Sequence, residues 1–221
     1  MIFYAIKILE DVSDNLDWLH PSERRVFDLL SIEKRRQDWL LGRWTAKNLV
    51  KNAWRPDIDL RELEIRNNTN RAPFIYFEDK ALPLSISISH GHDMAFSATA
   101  AGNIKIGCDL ESIEKRSQHF LDDYFMSEEH LSASDHALER DCFYSVCWSV
   151  KESVMKAERL GMSLHPKKIL VEHVDEGRGE WAGVKASIPG QKKKYYGLWK
   201  RMGDLVFVLL SDRENFSYNP K

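Results

Sequence analysis

Two short stretches of the chain hold residues whose types and spacing suit phosphate chemistry. In Gly107-Cys108-Asp109-Leu110-Glu111 the acids sit two apart in a run that reads as a strand from Ile104 to Leu110. Both carboxylates then leave one face while Cys108 and Leu110 turn toward the core. Paired hard oxygen ligands, completed by water and substrate phosphate oxygens, are what Mg²⁺ selects, because it dehydrates reluctantly. An ordinary strand with two solvated acids has the same pattern. In the second stretch Trp148, Glu152 and Lys156 recur every four residues along a helix read from Arg140 to Arg159. They form a stripe beside the apolar face of Phe143, Val146, Val150 and Val154. Glu152 could complete a metal site or act as a base, and Lys156, one turn on, could offset charge on a phosphate leaving group. In isolation the two also describe a surface Glu–Lys pair.

Basic and hydroxyl groups in the first half offer further phosphate donors. A helix read over Glu33 to Trp54, ended by Pro56, sets Arg36, Arg43 and Lys47 in a stripe beside Leu41 and Trp44, which suits either a phosphate grip or a solvated helix face. The alternating segment Ile86 to His92 ends in Ser89 and His90, placed to donate to phosphate oxygens at a strand end. Adjacent strand positions face opposite ways, which disfavours a serine–histidine nucleophile pair, and no G-x-S-x-G elbow is present. His92 reads as a turn residue.

The elements that must position these groups repeat. A buried strand at Ile2 to Leu9, the first long helix and short strands up to Ala98 make one half; the strand at Ile104, the second long helix stopped by Gly161 and strands up to Leu210 make the other. The expectation is an α+β fold of two similar halves, 1–102 and 103–221, each a long helix on a small antiparallel sheet. Phe216 to Lys221 read as a loose tail.

With 221 residues, 43% of them hydrophobic, the chain can bury a sizeable core. Its 32 basic and 34 acidic residues create no global field for nucleic acid or an anionic membrane. No basic leader precedes an apolar run with a cleavage site, and no segment nears the roughly 18 apolar residues of a membrane span, so a cytoplasmic protein with neither nucleic acid nor membrane as partner is expected. Cys108, Cys142 and Cys147, odd in number and without a C-x-x-C, read as small core hydrophobes.

Together these motifs resemble the Sfp-like (surfactin-type) 4′-phosphopantetheinyl transferases. Gly107-Cys108-Asp109-Leu110-Glu111 is similar to the family's G-x-D-x-E strand, and Trp148-Ser149-Val150-Lys151-Glu152-Ser153-Val154-Met155-Lys156 to its W-x-x-K-E-x-x-x-K helix. Leu41-Gly42-Arg43 resembles its G-R element and Ser89-His90 its S-H strand end, although Gly91 replaces the usual second serine and Arg71-Ala72-Pro73 replaces a G-K-P-like turn. The resemblance implies pseudo-twofold-related halves with coenzyme A in the cleft between them. It implies Mg²⁺ on Asp109, Glu111 and Glu152, with Glu152 deprotonating a carrier serine. Lys156 would stabilise the departing 3′,5′-ADP, and Arg43, Arg71, Ser89 and His90 would hold coenzyme phosphates. The implied partner is an acyl or peptidyl carrier protein, met near Phe120, Leu121 and Phe125 unless these pack in the core, and one chain building the whole cleft implies a monomer. The rival readings are a metal-dependent nuclease or nucleotidyl transferase, against which the balanced charge argues, and a non-catalytic module that binds coenzyme A or a carrier.

Overall fold

The computed structural model describes residues 1–177 and 180–221. In chain order it begins with β1 (Ile2–Ile8), α1 (Pro21–Asp28), α2 (Glu33–Trp54), β2 (Leu63–Asn67), β3 (Pro73–Phe77), β4 (Lys80–Ala81), β5 (Leu84–Gly91) and β6 (Met94–Ala101). It continues with β7 (Ile106–Ser112), α3 (Gln118–Tyr124), α4 (Ser127–Asp135), α5 (Arg140–Ala157), β8 (Leu170–Val174), β9 (Ala182–Ile188), β10 (Lys193–Met202), β11 (Leu205–Ser211) and β12 (Tyr218–Pro220). Helices packed on mainly antiparallel sheets make the fold α+β. Two compact units form, Met1–Ile104 with Phe216–Lys221, and Lys105–Asn215.

In the first unit the sheets run β12-β1-β6-β5 and β2-β3-β4. The long helix α2 covers them because its Ala46 and Val50 fall on one stripe and bury against Ile58, Leu63, Ile65, Ile75 and Ile86. The segment read as a loose tail is instead part of this unit: β12 pairs parallel to β1, with Ile2 N–H donating to Ser217 and Lys221 N–H to Tyr4. Polar and proline-containing, Tyr218-Asn219-Pro220 carries no apolar alternation; the open edge of β1, needing backbone partners, orders it.

In the second unit the order is β7-β11-β10-β9-β8, antiparallel throughout. Val146, Val150 and Val154 of α5 bury against Val184, Tyr195, Trp199, Val206, Val208 and Leu210. Leu121 and Phe125 belong to this core, so of the aromatic and aliphatic contacts weighed for a carrier these two are spent on packing. The helices α1, α3 and α4 escape a periodicity search because each has nine residues or fewer; caps define them instead. Ser117 Oγ accepts from Phe120 N–H, and the Glu23 and Glu129 carboxylates accept from the His20 and Met126 N–H groups.

Those two glutamates also anchor the long helices. Glu23 meets Lys47 of α2 at 2.7 Å, and Glu129 meets Lys151 of α5 at 2.8 Å, all four side chains at most 2% exposed. Each glutamate accepts a strand N–H as well, Ile65 at 3.0 Å and Val171 at 2.9 Å. Each lysine donates to backbone carbonyls, Lys47 to Trp18 and Lys151 to Pro166 and Ile169. Burial lowers both lysine pKa values, and the partner glutamate opposes it. The basic stripe of α2 is therefore no solvated face: Lys47 is enclosed, and Arg36 donates to the Phe27 and Leu30 carbonyls. The sequence signal for this repeated anchor is W-x-x-K, present as Trp44-Thr45-Ala46-Lys47 and Trp148-Ser149-Val150-Lys151. Lys151→Met leaves Glu129 buried without its cation, and is expected to cost roughly 3–5 kcal/mol in urea unfolding; a loss below about 1 kcal/mol would refute the anchoring role.

Candidate active site

The acid pair is positioned by a close approach of strand to helix. A Cβ on Gly107 would collide with the Ser153 carbonyl of α5, so only glycine lets β7 lie against this helix. Small buried residues on α5, Ser145, Ser149 and Ser153, keep the contact close. Across the ladder Gly107, Asp109 and Glu111 pair with Leu210, Val208 and Val206, which belong to the core under α5. The carboxylates therefore point beneath α5 rather than away from the core, and Asp109 is only 1% exposed. The reading of two solvated acids fails because their face is the one the helix covers. Cys108 and Leu110 are buried as well.

Glu152 and Lys156, one helical turn apart, hang over this strand. Lys156 Nζ donates to Asp109 Oδ1 at 2.6 Å and to the Cys108 carbonyl at 3.1 Å. Burial disfavours its charge, but Asp109 and Glu152 more than compensate and raise its pKa. Glu152 is pushed up to about 7, first by burial and then by the charges of Asp109 and Glu111, against the pull of Lys156. Burial and Asp109 likewise raise Glu111, against Arg116. Three carboxylates thus feel one another's charge across the β7–α5 contact.

Arg116 is the site residue that sequence reasoning missed. Its Nη2 lies 2.7 Å from Glu111 Oε2 and its Nη1 2.5 Å from Glu114 Oε1. It stands in the irregular stretch after β7, where no periodicity or motif marks it, and only the path of the chain brings it back. Among the described residues no three His, Cys, Asp or Glu side chains form a ready-made metal cage; Lys156 and Arg116 stand against the acids. The donor chemistry nevertheless fits Mg²⁺: the candidate ligands are all carboxylate oxygens, and Mg²⁺ needs only a few, the rest coming from water and phosphate. Burial raises Glu152 most, and the repulsion from Asp109 and Glu111 that adds to it is the charge imbalance a divalent cation would relieve.

The end of α5 is fixed by Glu158, which accepts from Lys105 at 2.6 Å, from Lys193 at 2.8 Å and from the Tyr195 hydroxyl. Burial alone would raise its pKa; these three donors instead depress it to about 2.

The remaining expected site residues lie in the first unit. A Cβ on Gly42 would come within 3.2 Å of the His90 ring, so the G-R glycine lets α2 pack on β5 with Arg43 next in chain. Arg43 is partly buried, its side chain 13% exposed, with its Cζ 4.0 Å over the Trp39 ring and its Nε 3.9 Å from Glu23. Desolvation lowers its pKa to about 10, which Glu23 only partly offsets. Ser89 is buried and His90 exposed, on opposite faces of β5 as the alternation requires. Arg71 occupies the left-handed turn before β3 at φ 63° and is exposed. The three cysteines are buried. No helix among the described residues is long and apolar enough to cross a membrane.

Known proteins supply one further observation. Residues 105–201 match the 4′-phosphopantetheinyl transferase superfamily. That span contains β7, α5 and every residue of the carboxylate site. No curated protein matches the chain. Among solved structures, the holo-[acyl-carrier-protein] synthase of Helicobacter pylori in complex with coenzyme A is 18% identical with a TM-score of 0.37, covering 46% of this chain and 100% of its own. The Thermotoga maritima holo-[acyl-carrier-protein] synthase is 17% identical with a TM-score of 0.37, covering 57% of this chain and 74% of its own.

Gly107→Ala is expected to force β7 off α5 and destabilise the protein by roughly 2–4 kcal/mol, read as a lowered unfolding midpoint; an unchanged midpoint would show that the contact is not tight. Because the folded pKa of Glu158 lies below its unfolded value near 4.5, its stabilisation is complete above that value and is lost as pH falls toward about 2. Glu158→Gln should therefore lower stability by roughly 1–3 kcal/mol at pH 7 and by much less near pH 2, and a pH-independent deficit in chemical denaturation would contradict the network.

Proposed function

We propose that the chain is an Sfp-like 4′-phosphopantetheinyl transferase. It moves the phosphopantetheine arm of coenzyme A onto a serine of an acyl or peptidyl carrier protein, with Mg²⁺, and releases 3′,5′-ADP. The observation that carries this reading is the convergence of Asp109, Glu111, Glu152 and Lys156 at the β7–α5 contact, inside the span that matches the superfamily. What favours the Sfp-like subtype is the first half, where Leu41-Gly42-Arg43 and Ser89-His90 meet through the Gly42–His90 contact.

In this mechanism Asp109, Glu111 and Glu152 hold Mg²⁺, which when bound neutralises charge on the coenzyme pyrophosphate. Glu152 takes the proton of the carrier serine, whose oxygen attacks the β-phosphate. The bond to the leaving phosphate breaks, and Lys156, kept protonated by Asp109, stabilises the negative charge that collects on 3′,5′-ADP. Asp109 and the Cys108 carbonyl aim that ammonium, so it is placed before substrate arrives. Arg43, Arg71, Ser89 and His90 serve as donors to coenzyme phosphates. Among the described residues the buried Nε of the partly exposed Arg43 guanidinium has no hydrogen-bond partner, which suits it to an anion.

The test is the intact mass of apo acyl and peptidyl carrier proteins after incubation with the protein, coenzyme A and Mg²⁺. A gain of one phosphopantetheine is expected, and Glu152→Gln should slow it by about 10²-fold or more. Folded protein that modifies none of several carriers would overturn the reading, and turnover untouched by Glu152→Gln would remove this site from it.

A further inference from the structure

Three acids meeting under α5 need counter-charge when no metal neutralises them, and the two cations that supply it are not held alike. Lys156 is tied twice, to Asp109 and to the Cys108 carbonyl, and both partners lie on the strand itself. Arg116 reaches two acids of different character. On one side is Glu111, 24% exposed, at 2.7 Å; on the other is Glu114, 53% exposed, at 2.5 Å. The guanidinium, itself 14% exposed, has its Cζ 5.0 Å from the centre of the Phe120 ring, a cation–π seat. Its planar fork offers each carboxylate a separate nitrogen, Nη2 to Glu111 and Nη1 to Glu114.

We propose that Arg116 is a resident counter-ion that holds Glu111 while the metal is absent and is passed to Glu114 when a divalent cation takes that carboxylate. The inference rests on the reading of Asp109, Glu111 and Glu152 as metal ligands. An incoming cation needs the Glu111 lone pairs that Nη2 occupies, and it repels the guanidinium. Glu114, two residues before Arg116 and already bonded to Nη1, receives the displaced charge while the Phe120 ring stays beneath it. Arg116 thereby keeps the empty site from collapsing or repelling itself open, at the expense of metal affinity. It touches no reacting atom, so it is a positioning residue.

Metal affinity itself reads this out, without turnover. Mn²⁺ would be titrated into wild-type protein and followed by the free-ion paramagnetic resonance signal, with Mg²⁺ as competitor and circular dichroism as the check on folding. Wild type should bind and Glu152→Gln should not; if wild type binds nothing, or Glu152→Gln binds as well, the metal reading fails and the proposal with it. Where that reading holds, Arg116→Gln should bind roughly three- to thirtyfold more tightly, because competition for Glu111 is gone. Equal or weaker binding overturns the counter-ion role while leaving the metal site standing. Glu114→Gln should bind a few-fold more weakly than wild type, and this variant carries the test should Arg116→Gln not fold. In the Arg116→Gln background the same change should do nothing; an equal loss in both backgrounds would mean Glu114 acts by charge alone and would overturn the transfer.

Discussion

Between Gly107 of β7 and the Ser153 carbonyl of α5 there is no room for a side chain, and the cluster of Asp109, Glu111, Glu152 and Lys156 is arranged around that contact. Hydrophobic burial draws α5 onto its sheet, as it does any helix with a stripe of valines, but burial is indifferent to the last ångström of separation. The glycine and the serines facing it set that distance. At that distance Lys156 reaches Asp109, and Glu152 is raised to about 7 by burial first and by the charges of both strand acids second. A bulkier strand residue at 107 would leave the same side chains in the sequence and separate them in space.

Charge in the second unit is organised in graded fashion along α5. At Lys151 the pairing is sealed: cation and anion are both fully enclosed and every remaining donor has a carbonyl or carboxylate. At Glu158 two partly exposed lysines and a tyrosine close the helix end. Between these fixed points lies the stretch with too many carboxylates for its cations, held in tension by Lys156 and Arg116. Rigid ends with an electrostatically unsatisfied middle are what a site for a divalent cation and an anionic substrate requires.

The repeated W-x-x-K anchor occurs both with and without a carboxylate cluster beside it. In both units a glutamate at the start of a short helix captures a lysine of the long helix and a strand N–H. In the second unit the residue after that lysine is Glu152, aimed at the strand acids; in the first it is Asn48, whose amide donates to the Trp44 carbonyl of its own helix. The anchor recurs in both units, whereas the carboxylate cluster belongs to the second alone among the described residues.

The sequence by itself determined the elements whose signals are local. The 22 residues of α2 and the 18 of α5 follow from apolar periodicity and their stops, and the spacing in Gly107–Glu111 and Trp148–Lys156 placed four candidate residues on one strand face and one helix stripe. Tertiary structure decided what those faces meet. Asp109 is buried rather than solvated, and Lys47 is a structural ion. The last residues are a strand because β1 has an edge to fill, and Leu121 and Phe125 are core. Arg116 and Glu158 matter only through partners that the chain's return brings near. The division has one physical cause: backbone propensity and side-chain period act over a few residues, whereas burial and Coulomb pairing depend on neighbours that only the folded chain supplies.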